Sequence, residues 1–377
     1  YRGDFVAGER QGIGVEESGE GLYQGRWEGD LPQGPGQFYG SDGSRYEGQW
    51  VAGRRQGYGT YTDARGSVYR GNWHHDVPEG FGVLEHPDGS RYQGEWRDGR
   101  QHGYGRARTP AGVVYEGTWV DGARQGFGVA ERPDGSRYEG EWFQDQRQGQ
   151  GRETYADGSW HDGAWEADRP LGPGTRRDRT GIEISGVWTG DVVSAGLMRL
   201  PSGAEYAGPL LTNGHRQIAD GLLSWLARQA ESGDPHAHYF LGTAYSDYEQ
   251  PEPDAFRAIR HFRAAARAGL PDAQLRLALM LLDGTPDQAI DWLEKAAAAG
   301  HGQANTLLGE LYLTGTHVTR DLDRALACFE AASAAGDPTG RTNLAWILAT
   351  TDRTEIKDPV RALELIRPLA LLKGEWQ

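Results

Sequence analysis

A tyrosine, a glycine and a tryptophan at alternate positions recur along the first part of the chain with a step of 23 residues. The clear copies of this Tyr-x-Gly-x-Trp motif begin at Tyr23, Tyr46, Tyr69, Tyr92, Tyr115 and Tyr138. Alternate residues of a β-strand share one face, so the three side chains of each copy lie together. The pattern predicts one β-hairpin per unit, paired with the next unit in a repeat array.

Glycines and turn residues between the motifs support this interpretation. A Gly-x-Gly pair follows the motif, as at Gly57 and Gly59, and leaves room for the large rings of the neighbouring strand. Asp-Gly recurs at Asp42-Gly43 and Asp88-Gly89 and is the favoured two-residue hairpin turn, with positive φ at both positions. Eight to ten units would form a twisted ribbon on the order of 80–100 Å long.

These motifs resemble the MORN repeat family over residues 1 to about 210. The resemblance implies a single-layer antiparallel β-meander, an all-β hairpin solenoid, with a concave, aromatic-lined groove that docks helical or extended peptides. Some family members have been proposed to bind acidic phospholipids. His161 and Ile184 replace the tyrosine in the last copies. We therefore expect a cap, or a docking surface for the next domain, at that end.

The repeated rings are the predicted binding site for a partner. Filling the space over the glycines is their structural role, but a one-layer sheet cannot bury both of its faces. We therefore expect the row of rings to stay partly open, and exposed Tyr and Trp are good binding hot spots. The predicted groove consists of Tyr46, Trp50, Tyr69, Trp73, Tyr92, Trp96, Tyr115, Trp119, Tyr138 and Trp142.

A finer period of 46 residues places an arginine before every second tyrosine, at Arg45, Arg91 and Arg137. Arg45 shares a strand face with Glu47. One interpretation is a solvated ladder of ion pairs. The alternative is a patterned binding face.

From about residue 220 the composition changes to Ala, Leu and Arg with helical spacing of apolar residues. Gly269, Gly300 and Gly336 stand where helix C-caps belong. The Leu-Gly-x-x-Tyr and Ala-Ala-x-x-Gly motifs resemble the SEL1-like subfamily of tetratricopeptide repeats across about 225–350. This implies an all-α superhelix that grips peptides or partner domains, with Tyr245 and Tyr312 as candidate surface residues.

The predicted domains are therefore residues 1–214, the β-solenoid, and 215–377, the helical repeats, which we expect to be cut off at the end. We predict no catalytic residue, metal site or cofactor. The Gly-x-Gly pairs precede strands rather than a helix, which argues against a phosphate loop. The period of 23 differs from that of calcium-binding β-rolls, and the close histidine pairs lack further metal ligands. Cys328 is predicted to be a small core residue.

The net charge of −15 argues against nucleic-acid binding and disfavours an anionic membrane surface. We predict a non-catalytic scaffold for protein or peptide partners in an envelope or secretion assembly, with the bacterial envelope favoured over the cytoplasm. One alternative is a membrane-surface adaptor that recognises anionic lipids through local arginines such as Arg176, Arg177 and Arg179. The other is a regulatory region of an enzyme that lies outside this sequence.

Overall fold

The computed structural model describes residues 1–212, 217–247 and 254–372. It contains two compact units. The first comprises residues 1–133 and 137–149, and the second comprises 134–136 and 150–377. The predicted boundary between residues 214 and 215 lies outside the described residues and stays a prediction.

Strands alone build the first unit. Each strand from β1 to β13 pairs antiparallel with the next along the chain, as the predicted meander requires. The strands are β1 (Arg2–Val6), β2 (Glu9–Glu17), β3 (Gly21–Glu28), β4 (Leu31–Gly40), β5 (Arg45–Val51), β6 (Arg54–Thr62), β7 (Val68–His74), β8 (Val77–Glu85), β9 (Arg91–Arg97), β10 (Arg100–Arg108), β11 (Val114–Val120), β12 (Ala123–Glu131) and β13 (Arg137–Phe143), with the start of β14 (Gln146–Thr154).

Strands precede helices in the second unit. Here β15 to β19 also pair antiparallel in chain order, and β20 pairs with β21. The strands are β15 (Trp160–Glu166), β16 (Arg169–Arg177), β17 (Glu183–Thr189), β18 (Val192–Arg199), β19 (Glu205–Pro209), β20 (Leu211–Thr212) and β21 (Gln217–Ile218). The helices are α1 (Asp220–Glu231), α2 (Pro235–Asp247), α3 (Ala255–Arg267), α4 (Pro271–Leu281), α5 (Pro286–Ala298), α6 (Gly302–Thr314), α7 (Leu322–Ala334), α8 (Pro338–Thr350) and α9 (Pro359–Leu372).

The predicted hairpin turn occurs at a different place in the repeat. At Asp42-Gly43 only the glycine has a positive φ, of 91°, while the Asp42 carboxylate accepts a hydrogen bond from the Ser44 amide at 2.8 Å. The prediction of a two-residue turn there is wrong, because the loop closes with a bond from the Gly40 amide to the Ser44 carbonyl. The residues with two successive positive φ values follow the tryptophan, for example at Asp98 and Gly99.

Two glycines on adjacent strands lie under each tyrosine and let the hairpins pack. Of the predicted pair Gly57 and Gly59, only Gly59 lies under a ring; the prediction is wrong for Gly57, where an added Cβ would meet the Gln49 side chain at 3.6 Å. Gly48 and Gly59 are paired across β5 and β6. A Cβ added to either would lie within 2.4 Å of the Tyr46 hydroxyl oxygen. The ring therefore rests on two glycines, and its hydroxyl donates to the Gln49 carbonyl at 3.0 Å.

The helices pack as close pairs because small residues stand where two helices meet. A Cβ on Gly242 would lie 2.6 Å from the ring of Phe262, and one on Gly309 would lie 2.6 Å from the ring of Phe329. The predicted C-cap glycines, Gly269, Gly300 and Gly336, adopt left-handed φ values of 94°, 82° and 83° just after α3, α5 and α7.

In the second unit the last strands share a core with the first helices. Trp188 and Met198 lie in one buried cluster with Leu222 and Leu226, and Ile184 packs against it. The degenerate copies thus provide the apolar surface on which α1 and α2 dock.

Candidate binding surfaces

The ten rings of the predicted groove form a continuous ladder inside the first unit. Each tyrosine contacts the tryptophan of its own copy. The tyrosines from Tyr46 to Tyr115 also contact the tryptophan of the next copy. All of these ring pairs are edge to face, with centroids 5.1–5.4 Å apart. Such edge-to-face pairs add roughly 0.5–1.5 kcal/mol each beyond the burial of their area. All ten are buried, with at most 8% of the side chain exposed. The expectation that these rings stay partly open is therefore wrong, and their predicted role in partner binding stays a prediction.

Arginine side chains cover the face of the sheet that carries these tyrosines and tryptophans. The guanidinium carbon of Arg55 lies 4.3 Å from the ring centroid of Trp73, and that of Arg124 lies 4.2 Å from that of Trp142. Each guanidinium is held over the indole by a hairpin aspartate 21 residues further along the chain. The Nε atom of Arg124 lies 2.9 Å from a carboxylate oxygen of Asp145, and its terminal nitrogen donates to the Asp145 carbonyl at 2.8 Å.

Sequence reasoning missed these arginine–aspartate clamps. Arg10, Arg55 and Arg124 all stand two residues before a Gly-x-Gly pair, and an aspartate occurs 20 or 21 residues later in each case. This near-repeat spacing could have identified them. Their effect is to cover the indole faces that a partner would otherwise contact.

Within the described residues of the first unit, a recess lies on this face of the sheet. It has a volume of about 410 Å³, and Tyr46 and Trp50 line it together with Glu16 and Arg55. The Nε1 atom of Trp50 is buried and has no hydrogen-bond partner, whereas that of Trp73 donates to the Gly59 carbonyl at 3.3 Å. Two of the ten predicted groove residues thus line a small opening.

The opposite face of the first unit carries a row of exposed rings that the sequence analysis did not single out. Tyr58, Phe81, Tyr104 and Phe127 are each the middle residue of a Gly-x-Gly pair, and 62%, 54%, 56% and 58% of their side chains are exposed. We call these four residues the aromatic row. They occur once per 23 residues, so successive rings are two strands, or about 9.6 Å, apart.

Polar side chains lie directly across from each ring on the neighbouring strand. The register places Asn72 opposite Tyr58, Glu95 opposite Phe81, Thr118 opposite Tyr104 and Glu141 opposite Phe127. Two of these four positions are therefore carboxylates and none is a cation. The Tyr104 hydroxyl donates to a third carboxylate, that of Glu116, at 2.8 Å, and this bond raises the pKa of Tyr104.

The alternating arginines near this row form ion pairs, as the ladder interpretation predicts, and the alternative of a patterned binding face stays a prediction. Arg45 lies 2.8 Å from Glu47, Arg91 lies 3.4 Å from Glu85, and Arg137 lies 3.5 Å from Glu131. All are well exposed, so each pair contributes roughly 1 kcal/mol or less.

In the second unit His161 occupies the tyrosine position of its repeat. The side chain is fully buried between Trp165 and Trp188, and neither ring nitrogen has a hydrogen-bond partner. Burial, assisted by the nearby charge of Arg176, lowers the pKa of His161 to about 4. The imidazole is too short to make the hydroxyl-to-carbonyl bond that tyrosine makes in the other copies.

The local arginines of the second unit are engaged in ion pairs. Arg176 lies 2.8 Å from Asp191 and covers the ring of Trp188, with 4.6 Å to its centroid. Arg179 pairs with the buried carboxylate of Asp272. These contacts occupy two of the three arginines that were considered for lipid headgroups.

The two candidate tyrosines of the helical repeats are partly or fully packed. Tyr312 is buried, and its hydroxyl accepts a hydrogen bond from Arg324 at 3.1 Å. Tyr245 is half-buried and stacks on His261 with 5.7 Å between centroids. Both rings support neighbouring helices, and their predicted role as a binding surface stays a prediction.

Within the described residues, no group of three or more His, Cys, Asp and Glu side chains has a geometry that could hold a metal ion. Across the same residues, none of the helices combines the length and hydropathy that crossing a bilayer requires.

Comparison with known proteins relates both parts of the chain to repeat families. The family model for the MORN repeat matches residues 1–22, 23–45, 46–68, 69–91, 92–113, 115–137 and 138–160, and that for the Sel1 repeat matches 235–270, 271–301 and 302–337. Sel1-repeat proteins are generally scaffolds for protein interactions, and both repeat families are typically non-catalytic.

Two curated proteins resemble parts of the chain. An uncharacterized protein of Neisseria meningitidis is 36% identical over 113 residues, which is 30% of this chain and 24% of that protein. Chitin synthase regulatory factor 1 of Schizosaccharomyces pombe is 29% identical over 127 residues, which is 31% of this chain and 28% of that protein. The matches thus span about a quarter of the length of these relatives.

Among solved structures, a protective antigen of uropathogenic Escherichia coli with an SLR fold is 29% identical, with a TM-score of 0.36, and the match covers 40% of this chain and 33% of that one. A Sel1 repeat protein from Oxalobacter formigenes is 26% identical with the same TM-score, and the match covers 39% and 62% of the two chains. On the two family-model matches, the chain is a repeat protein in which seven MORN repeats, over residues 1–160, precede three Sel1 repeats, over residues 235–337.

Proposed function

We propose that this chain is a non-catalytic scaffold and that the aromatic row of its MORN repeats is where a protein partner binds. One observation carries the proposal. Four large rings, more than half exposed, stand at the same position of four successive repeats. An extended row of exposed rings at equivalent positions, flanked by polar side chains, is the kind of surface that marks a protein interaction site.

The row offers enough surface for a specific interface. A fully buried Tyr or Phe covers about 150–250 Å², so each half-exposed ring can bury about 100 Å² more, which corresponds to about 2.5 kcal/mol. Ile13 and Pro35 occupy the same position in the two preceding repeats and are also exposed. Six positions at about 9.6 Å steps extend over roughly 48 Å, which is long enough to accommodate a standard protein interface.

The buried ladder of tyrosines and tryptophans supports this face from behind. In this proposal the rings first predicted to bind the partner keep the sheet rigid, and the opposite face makes the contact. The helical repeats supply a second surface for the same assembly. An envelope or secretion complex is the setting that the sequence favours, and cell fractionation tests it.

A triple substitution tests the role of the row. Phe81→Ala, Tyr104→Ala and Phe127→Ala together remove three rings that make few contacts in the fold, so the variant is expected to unfold at the same temperature as the wild type. It should lose the partners that the wild-type chain captures from native extract. The double variant Phe5→Ala/Phe256→Ala removes exposed rings elsewhere and should retain them. Unchanged capture by the folded triple variant would overturn the proposal.

A further inference from the structure

Two arginines stand directly opposite each other on the hairpin of β9 and β10. The register pairs Arg91 with Arg108, and both side chains are exposed. The adjacent pair, Tyr92 and Ala107, faces the tyrosine–tryptophan ladder, so the two arginines lie on the face of the aromatic row. Like charges at directly opposite positions destabilise an antiparallel pair of strands. The sheet would therefore be more stable with another residue at one of these two positions.

The equivalent positions of the neighbouring hairpins hold no pair of like charges. The hairpin of β7 and β8 pairs Val68 with Glu85, and the hairpin of β11 and β12 pairs Val114 with Glu131. Arg108 thus stands where the repeat on either side of it has a glutamate. The fold of the repeat does not require this arginine, so its presence needs another explanation.

A third arginine on the same face completes a basic recess. Arg106 precedes Arg108 by two residues on β10, and the register places Gln93 opposite it. These two arginines, Arg91 and Gln93 line a recess with a volume of about 450 Å³, and its other lining residues are uncharged. We call this site the arginine recess.

The charges around the arginine recess do not balance. The Glu85 carboxylate lies 2.7 Å from the guanidinium of Arg70 and 3.4 Å from that of Arg91, and the Glu116 carboxylate lies 3.9 Å from the guanidinium of Arg106. The third arginine of the recess makes no ion pair with any described residue. Four arginines thus share two carboxylates, which leaves a local excess of two positive charges on a chain whose net charge is −15.

The arginine recess adjoins the aromatic row at Tyr104. Arg106 follows this ring by two residues on β10, so the two side chains share a face. The register places Glu95 opposite His102, on the other side of Tyr104 along the strand, where the carboxylate accepts a hydrogen bond from the Tyr104 backbone amide at 3.1 Å. The charge therefore changes from negative to positive across the row, and an occupant of the row meets cations on one side.

The chemistry of the recess favours an acidic segment of a protein. Guanidinium groups bind carboxylates through paired, charge-assisted hydrogen bonds. A peptide carboxylate in the recess interacts mainly with charges within about 8–10 Å, where the cations are in excess. An anionic membrane surface would also face the surrounding glutamates and the net negative charge of the chain, which repel it.

We propose that the arginine recess binds an acidic segment of the partner, with neighbouring carboxylates held by Arg91, Arg106 and Arg108 and an apolar side chain beside them on Tyr104. The proposal rests on the proposed function of the aromatic row. It deepens that function by naming the chemistry of the partner.

Immobilised peptides test the proposal on the full chain by surface plasmon resonance. The probe has a phenylalanine followed by two aspartates in a background of glycine and serine. In the first control peptide asparagine replaces both aspartates, and in the second glycine replaces the phenylalanine. The probe should bind at least tenfold more tightly than the asparagine control and about threefold more tightly than the glycine control. Its binding should weaken as salt is raised, because exposed charges are screened.

Substitutions in the recess should separate binding from folding. Arg106→Gln/Arg108→Gln should weaken binding of the probe at least tenfold. The control variant Arg54→Gln/Arg65→Gln removes two exposed arginines elsewhere in the first unit, with the same change in net charge, and should bind as the wild type does. Arg108→Glu should lose the probe but melt at the same temperature as the wild type or higher, because it replaces a pair of like charges by an ion pair.

Three results would overturn the proposal. The first is equal binding of the aspartate and asparagine peptides, and the second is unchanged probe binding in Arg106→Gln/Arg108→Gln. The third is co-sedimentation with anionic phosphatidylglycerol vesicles that depends on these two arginines while the acidic probe does not bind, which would assign the recess to a lipid surface.

Capture of native partners separates this proposal from the proposed function. If the triple ring variant loses its native partners but the arginine substitutions leave probe binding unchanged, the scaffold function stands and the acidic occupant is refuted. If the ring substitutions leave capture unchanged and the arginine substitutions leave probe binding unchanged, both are refuted.

Discussion

Replacing His161 by tyrosine should stabilise the second unit and remove part of its dependence on pH. His161 stands where other repeats have a tyrosine, between two tryptophan rings at 5.3 Å and with Gly163 and Gly174 at the positions of the two glycines. A tyrosine can therefore occupy the same space and donate its hydroxyl to the backbone. At pH 7 the change ends the burial of two unpartnered nitrogens and adds a hydrogen bond, which together should contribute about 1–3 kcal/mol.

The effect of pH has a definite sign. The pKa of His161 is lowered from 6.5 in the unfolded chain to about 4 in the folded one. Between these values the unfolded chain binds the proton more readily, so the stability present above pH 6.5 is lost as the pH falls towards 4. At pH 5 the loss from this residue amounts to about 2 kcal/mol. In His161→Tyr that loss should be absent.

Urea unfolding followed by tryptophan fluorescence measures both effects, because Trp165 and Trp188 contact His161 directly. The comparison is between pH 7 and pH 5 for the wild type, for His161→Tyr and for His74→Tyr, which changes an exposed histidine in the first unit. The reasoning is refuted if His161→Tyr is no more stable than the wild type at pH 7. It is refuted equally if both lose the same stability at pH 5.

Two further predictions concern packing in the two kinds of repeat. Gly309→Ala should destabilise the helical repeats by about 1–3 kcal/mol in thermal or urea unfolding, because its Cβ would lie 2.6 Å from the ring of Phe329. Gly284→Ala, where the added Cβ meets nothing within 4 Å, should be neutral, and equal effects would contradict the packing argument. Arg124→Met should cost about 1–2 kcal/mol by removing both the cation over the indole and the bonds to Asp145. A neutral result in urea unfolding would show that the clamp does not stabilise the sheet.

The hairpin repeat and the helix ends could be predicted because both depend on neighbouring residues in the sequence. Alternation around Tyr46 and the glycines beside it determines which side chains share a face. The left-handed C-caps at Gly269 and Gly300 follow from the freedom of glycine at positive φ. In these places local geometry and tertiary packing require the same residues, so the sequence pattern is sufficient to predict the structure.

The burial of the tyrosine–tryptophan face under arginine side chains could not be predicted from the alternation of residues along each strand. It depends on Arg55 and Arg124 reaching aspartates in the next hairpin, which only the three-dimensional register brings into contact. The error in turn type has a similar origin. Asp42 can satisfy either a two-residue turn or a loop that its own side chain closes, and the bond to Ser44 selects the second.

The aromatic row was missed because the residue between two glycines resembles a spacer. In each of these copies the second glycine of the pair lies under the tyrosine, so the residue before it points to the other side of the sheet. Folding places no demand on its identity, since the equivalent positions hold Ile13, Pro35, Gln150 and Pro173 in other copies. Four consecutive repeats nevertheless have a large ring there, where it contributes little to packing and increases the exposed apolar surface. A feature that the fold does not require and that solubility disfavours is best explained by a partner that covers it.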